Sequence, residues 1–320
     1  MREAVAIVVA TRRSAPRPIG SKLVVTESGE MRGSVSGGCV ESDVYEACQA
    51  VLRGGEPRLL TYGISDDQAF EVGLPCGGEI DVFVREADPG LAARIAELGD
   101  RRAVLFTDLE DGSQRIVLEG DEPVADELLR GGHSKLVQLE GRQIFADVFG
   151  PPPRLLVFGA VDTAEALCRA AKQLDWRTIV ADARGKFATK ERIPSADELY
   201  VAWPEDVLAQ VAPDHATAVV VLTHDEKFDV PALVGTLATE AFYIGALGSR
   251  RNQEKRRERL LEAGVTEEQV NRIHGPAGLD IGAHSPSETA LSILGEILAV
   301  RAHRAGGPLR EAETRIHAEV

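Results

Sequence analysis

Two short loops hold the residues best suited to chemistry. Gly33-Ser34-Val35-Ser36-Gly37-Gly38-Cys39-Val40-Glu41 is rich in glycine and serine and leads into a helix; Gly73-Leu74-Pro75-Cys76-Gly77-Gly78-Glu79 joins a turn to a strand. Cys39 falls at the predicted helix start, where aligned peptide dipoles favour a thiolate. The successive amides of Gly37 and Gly38 are placed to form a nest for an anion. Gly77 and Gly78 leave room for a large ligand to approach the Cys76 sulfur. Thiolate is a soft ligand for a metal. Cys39 and Cys76 therefore read as thiolates that meet an anionic, metal-bearing ligand, with Gly37, Gly38, Gly77 and Gly78 beside them. The competing reading makes both cysteines small buried hydrophobes in tight turns. That reading is the expectation for Cys48 and Cys168, which fall within predicted helices near their apolar faces. No two cysteines are spaced Cys-x-x-Cys, which speaks against a structural zinc site.

A formal net charge of -15 over 320 residues speaks against a protein that binds nucleic acid by neutralising phosphates, and against docking on an anionic membrane. Two basic stretches interrupt this background. Residues 4 to 26 contain no acid but carry Arg12, Arg13, Arg17 and Lys22. Gly248-Ser249-Arg250-Arg251-Asn252 opens a predicted helix at the carboxyl edge of a sheet, where α/β domains bind ligands. Ser249 and Arg250 are the expected contacts there. Lys255, Arg256, Arg257 and Arg259, farther along the helix, read as a solvated face.

The elements that must position these residues divide at Gly150-Pro151-Pro152-Pro153. An extended proline linker there predicts one domain over residues 1–150 and another over 151–320. The first reads as α+β, with a helix from Val40 to Leu52 whose face is Val40, Val44, Ala47 and Val51. The second alternates strand and helix. Strands are predicted at Leu155 to Phe158, Thr178 to Ala181, Leu199 to Ala202, Ala218 to Leu222 and Phe242 to Ala246. Continuous apolar strands between amphipathic helices predict a doubly wound parallel sheet of Rossmann-like α/β class. Asp162 and Glu165 are spaced as a capping box for its first helix. Ser285-Pro286-Ser287-Glu288 announces the last, with Leu291, Leu294 and Leu298 along one face.

The turn after the first of these strands sits where a dinucleotide fingerprint would sit. Gly159 supplies the tight turn and Ala164 the third small residue, but Val161 replaces the second glycine. A β-branched side chain there crowds a pyrophosphate, and Asp162 adds a negative charge where a phosphate would bind. Asp182 follows the next strand at the place of a ribose-binding acid. The fold signal thus exceeds the nucleotide signal. No apolar run reaches membrane-spanning length, and Val5 to Ala10 is too short for a signal peptide, so a cytoplasmic location is expected.

Several of these stretches together resemble the XdhC/CoxI family, accessory proteins of xanthine dehydrogenase and carbon monoxide dehydrogenase. In the first half they are Ser14-Ala15-Pro16-Arg17, Gly20-Ser21-Lys22, the Gly33 to Glu41 loop and Pro75-Cys76-Gly77-Gly78. In the second they include Asp182-Ala183-Arg184, Leu222-Thr223-His224-Asp225, Lys227-Phe228-Asp229, the stretch from Tyr243 to Arg251 and that from Gly278 to Ala283. The resemblance spans nearly the whole chain except about residues 86 to 150.

It implies a cytoplasmic accessory protein that binds the molybdenum cofactor, as molybdopterin or its dinucleotide form. Such a protein holds the cofactor while a cysteine desulfurase supplies a terminal sulfur, and assists insertion into an apo molybdenum hydroxylase. Cys39 and Cys76 are then candidates to touch the molybdenum or its sulfur, and Arg17 and Lys22 to hold the pterin phosphate. A homodimer is also expected, with no nucleic-acid or membrane partner. An NAD(P)-dependent oxidoreductase and a non-catalytic interaction scaffold stand as alternatives.

Overall fold

The computed structural model describes residues 2–12, 15–63 and 78–312. Cys76 and Gly77 lie outside the described residues. The chain forms two compact units, one of Met1–Pro151 joined by the segment from Pro308, the other of Pro152–Gly307.

In the first unit, among the described residues, β1 (Glu3–Arg12), β2 (Lys22–Thr26), β3 (Met31–Gly33), β4 (Arg58–Tyr62) and β5 (Glu79–Glu86) form an antiparallel sheet in the order β3-β2-β1-β5-β4. Helix α1 (Glu41–Leu52) lies on one face of it. Its Val44, Ala47, Cys48 and Val51 pack on Ala4, Ala6 and Val8 of β1. The alternate β1 residues, Ile7 and Val9, bury instead against Phe83, Leu109 and Phe145. Burial on both faces explains why β1 reads as an unbroken apolar run.

After α2 (Leu91–Leu98), a second antiparallel sheet contains β6 (Ala103–Asp108), β7 (Gln114–Leu118), β8 (Lys135–Leu139) and β9 (Arg142–Phe149), in the order β7-β6-β9-β8. Helix α3 (Pro123–Gly131) covers it with Ala125, Leu128 and Leu129.

The second unit is Rossmann-like. Its strands β10 (Arg154–Phe158), β11 (Arg177–Ala181), β12 (Glu198–Tyr200), β13 (Thr217–Val221), β14 (Tyr243–Ala246) and β15 (Ile273–His274) are parallel and ordered β12-β11-β10-β13-β14-β15. Numbered within the unit, that is 3-2-1-4-5-6, with the reversal between β10 and β13. Alternate residues feed two cores. Leu155, Val157, Ala218 and Val220 join α4 (Asp162–Lys172) and α9 (Pro286–Arg301). Leu156, Phe158, Val219 and Val221 join α5 (Pro204–Val211), α6 (Glu226–Leu237) and α7 (Arg250–Glu262). A short α8 (Glu267–Val270) precedes β15.

Three local expectations are corrected. The N-cap of α4 is Val161, not Asp162, and its side chain makes no cap; Glu165 turns away to accept from Ser195 instead. Helix α9 begins with the expected Ser285–Glu288 capping box, but it buries Ala290, Ile293, Leu294 and Ile297 and leaves Leu291 59% exposed. It carries more than one apolar stripe, and packing against α4 selects between them. Arg256 is not on a solvated face. It is buried, pairs with Asp229 of α6 at 3.0 Å, and donates to the Leu247 carbonyl.

Thr223, just past β13, also donates to Asp229, so this carboxylate ties the end of a central strand to two helices. Removing one member of a buried pair leaves an uncompensated charge. R256A is therefore expected to destabilise this unit by about 3 kcal/mol in denaturant melts. R251A, at an exposed position of the same helix, should change stability by no more than about 0.5 kcal/mol.

Candidate functional site

The loop between β3 and α1 is built around one carboxylate. Glu41 Oε1 accepts from Ser34 Oγ at 2.6 Å and from the amides of Ser36 at 2.8 Å, Gly37 at 3.0 Å and Val35 at 3.2 Å. Its Oε2 accepts from the Gly38 amide at 2.7 Å and from the Ser36 hydroxyl. Ser36 Oγ in turn accepts from the Val40 amide at 2.9 Å. Gly37 and Gly38 have φ of 75° and 117°, which turn their amides inward and favour glycine. Buried Val35 and Val40 anchor the loop on both sides. The nest expected of Gly37 and Gly38 therefore exists, but its anion is internal. An external phosphate would have to displace Glu41.

Burial opposes the charge on Glu41. Hydrogen bonds from Ser34 and Ser36, with the Ser36 and Gly38 amides, outweigh it and hold the carboxyl down at about 2. The loop so fixed presents Gly37, Gly38 and Cys39 to solvent. Cys39 lies one residue before the N-cap Val40 rather than within α1, whose first turn already carries Glu41 and Asp43. The other described cysteines differ. Cys48 and Cys168 are buried, and burial pushes each thiol up to about 12. Gly78 is buried ahead of β5; the rest of the second loop, with Cys76, is outside the described residues.

The basic stretch of β1 and β2 is largely spent on internal acids. Arg12 Nη2 donates to Asp81 at 2.7 Å. Lys22 Nζ pairs with Asp147 of β9 at 2.7 Å and lies over the Phe149 ring. Arg17 is exposed. Of the two cations expected at a phosphate, Lys22 is thus held elsewhere.

In the second unit, Gly159 has φ of 106°, and a Cβ there would lie 2.9 Å from Thr223 Cγ2, so the turn after β10 closes against the end of β13. Asp182 holds this turn. Its Oδ2 accepts from the Ala160 amide at 3.1 Å, while Arg184 Nε and Nη2 clamp both its oxygens at 2.9 and 2.8 Å. Burial works against its ionisation, but Arg184 and the amides of Arg184 and Ala160 keep its pKa below the usual carboxylate range. The acid expected on a ribose is a structural tie. Ser249 caps α7 by accepting from the Asn252 amide, and Arg250 is exposed at its first turn. Asp225 caps α6, and His224 is exposed beside it.

Both units have known relatives. Residues 2–63 match the XdhC and CoxI family, and residues 155–297 match the XdhC Rossmann domain. The chain belongs to the XdhC and CoxI family. It is 30% identical over 299 residues to "Molybdenum cofactor insertion chaperone PaoD" of Escherichia coli strain K12, covering 92% of this chain and 82% of that one. It is 28% identical over 311 residues to a probable xanthine dehydrogenase subunit of Bacillus subtilis strain 168, covering 92% of each. A crystal structure described as a xanthine dehydrogenase from Bacillus halodurans superposes with a TM-score of 0.70 at 26% identity, covering 98% of this chain and 94% of the other.

The residues that sequence reasoning passed over are Glu41, Arg184 and Asp229. Glu41 was signalled by an acid directly after a serine–glycine loop, and only its role as the loop's own anion was missing. Its depressed pKa means that its stabilisation is complete above the unfolded value near 4.5 and is lost as pH falls through about 2. E41Q should lower the stability of the first unit at neutral pH by about 2 kcal/mol and flatten the acid limb of a pH-stability profile. Mass-mapped alkylation near about pH 8 should modify Cys39 in the native chain, while Cys48 and Cys168 react only after denaturation.

Proposed function

We propose that this chain is an accessory protein of molybdenum-cofactor maturation. It holds the cofactor as cargo, keeps it while a cysteine desulfurase supplies sulfur, and helps to insert it into an apo molybdenum hydroxylase. The observation that carries this reading is the exposed Cys39 on a loop locked from inside by Glu41. Likeness over nearly the whole chain to PaoD, whose name states molybdenum cofactor insertion, supports the cargo.

The presented Cys39 sulfur supplies a soft ligand to a metal that brings most of its other ligands with it. Among the described residues no group of three or more His, Cys, Asp or Glu side chains forms a metal cage. Cys76 is the second proposed ligand, with Gly77 and Gly78 giving it access. Exposed Arg17 is the cation offered to the pterin phosphate, and Ser249 and Arg250 remain candidate contacts in the second unit. A homodimer is part of the same proposal. The NAD(P) alternative is disfavoured by Val161 and by the engagement of Asp182 with Arg184.

Protein purified without oxygen from molybdate-fed cells should contain molybdenum by mass spectrometry and a pterin by fluorescence after oxidation. C39A should retain about tenfold less of both, a loss of ~1.4 kcal/mol in binding. Undiminished loading of C39A removes Cys39 from the reading; absence of both metal and pterin from the unsubstituted chain removes the reading itself.

A further inference from the structure

An aromatic and cationic cluster lies beyond the carboxyl ends of β11, β12 and β13, in the second unit. Trp203 follows β12 and is 48% exposed, whereas the other tryptophan, Trp176, is buried. One face of Trp203 meets Phe228 of α6, with ring centroids 4.9 Å apart. The Arg184 guanidinium lies 4.1 Å from the Phe187 centroid and 5.8 Å from that of Phe228. Lys227 Nζ stands 5.0 Å from the Phe228 centroid. These contacts link residues from three successive strand ends into one surface.

The arrangement is more ordered than a solvated rim requires. Arg184 spends Nε and Nη2 on Asp182, which fixes the plane of its guanidinium and leaves the Nη1 edge outside that pair. A pinned guanidinium and a half-exposed indole, each against the Phe228 ring, offer two things: a flat face for a ring, and a planar donor edge for a phosphate. The neighbouring turn cannot take a pyrophosphate in the usual way. Its Ala160 amide is occupied by Asp182, Val161 replaces the permissive glycine, and the exposed Asp162 carboxylate stands at the start of α4. A ligand of this edge is thus favoured to bring one phosphate, not a bridging pair.

We infer that Trp203, Phe228 and Arg184 form a binding platform for a planar heteroaromatic ring that carries a phosphate group. The ring stacks on the exposed part of Trp203 and the phosphate meets the Nη1 edge of Arg184, beside Lys227, which also pairs with Asp225 at 3.3 Å. The same chemistry is offered by a free nucleoside monophosphate and by the ring-plus-phosphate portion of a larger cofactor. The platform belongs to the other unit from Cys39 and does not rest on the molybdenum reading.

The test uses the full chain without added molybdenum. AMP, GMP and CMP are titrated by calorimetry into the unsubstituted chain, and by emission into W176F, in which Trp203 is the one tryptophan left. At least one monophosphate should bind saturably and quench Trp203. The matching nucleoside and inorganic phosphate should each bind at least about tenfold more weakly. W203A, at a half-exposed position, and R184Q should each weaken binding by about tenfold or more, and R184K should restore part of it. If R184Q fails to fold, W203A and K227Q give the same reading.

C39A should bind the nucleotide unchanged, which separates this site from the proposed cargo contact. Competition by isolated molybdopterin, whose ring system carries one phosphate, assigns the platform to a cofactor; binding without such competition assigns it to a free nucleotide. No saturable binding by any monophosphate overturns the inference. So does unchanged affinity in W203A, or inorganic phosphate binding as tightly as the nucleotide.

Discussion

The Glu41 carboxylate is the constraint on which the first unit's candidate site depends. Six donors from residues 34–38 converge on its two oxygens. Without it, Ser34, Ser36 and the glycine amides would need water or an external anion, and Gly37 and Gly38 would have no reason to hold left-handed conformations. With it, a segment that composition alone marks as pliable becomes a fixed mount for Cys39. The charge is favourable because the donors are already oriented; burial alone would push the carboxyl the other way.

The same device recurs. Where a Rossmann-like turn would meet a pyrophosphate, Asp182 takes the Ala160 amide and the Nε and Nη2 donors of Arg184. Where the basic strands invite a phosphate, Asp81 and Asp147 take Arg12 and Lys22. At the end of β13, Asp229 takes Thr223 and Arg256. The net charge of -15 is therefore not merely a solvated coat. Part of it is built into places where anion-binding geometry is otherwise ready, and each internal carboxylate sets a local competitor for an incoming anion.

How far the sequence reveals this follows from the range of the interactions. Alternating apolar strands and helices are local patterns, and they announce the Rossmann-like unit with strand limits that shift by one or two residues. The Ser285–Glu288 cap is local too, and forms as read. The α4 cap is equally local in spacing yet fails, because Glu165 finds Ser195, 30 residues away. Lys22 finds Asp147 across 125 residues, and Arg256 finds Asp229 across 27. A charge whose partner arrives only with the tertiary fold looks free in a sequence, and a helix with two apolar stripes does not say which one is buried. Glu41 is the intermediate case: its donors are its immediate neighbours, but which anion fills a nest depends on side-chain direction.

A loop held by its own anion has a consequence for the proposed cargo role. An open glycine nest would bind phosphate strongly and without discrimination, and a cofactor gripped there would be slow to leave. A nest closed by Glu41 removes that grip and leaves the contact at Cys39 to the thiol. Affinity then depends on soft sulfur contacts together with whatever contacts the remainder of the cofactor makes, rather than on a rigid pocket of charges. Because the mount is ordered before the cargo arrives, little conformational entropy is lost on binding and little must be regained on release. That is the balance a carrier needs if its cargo is to pass to an apo-enzyme: positioned well enough to be protected, and held by few enough bonds to be given up.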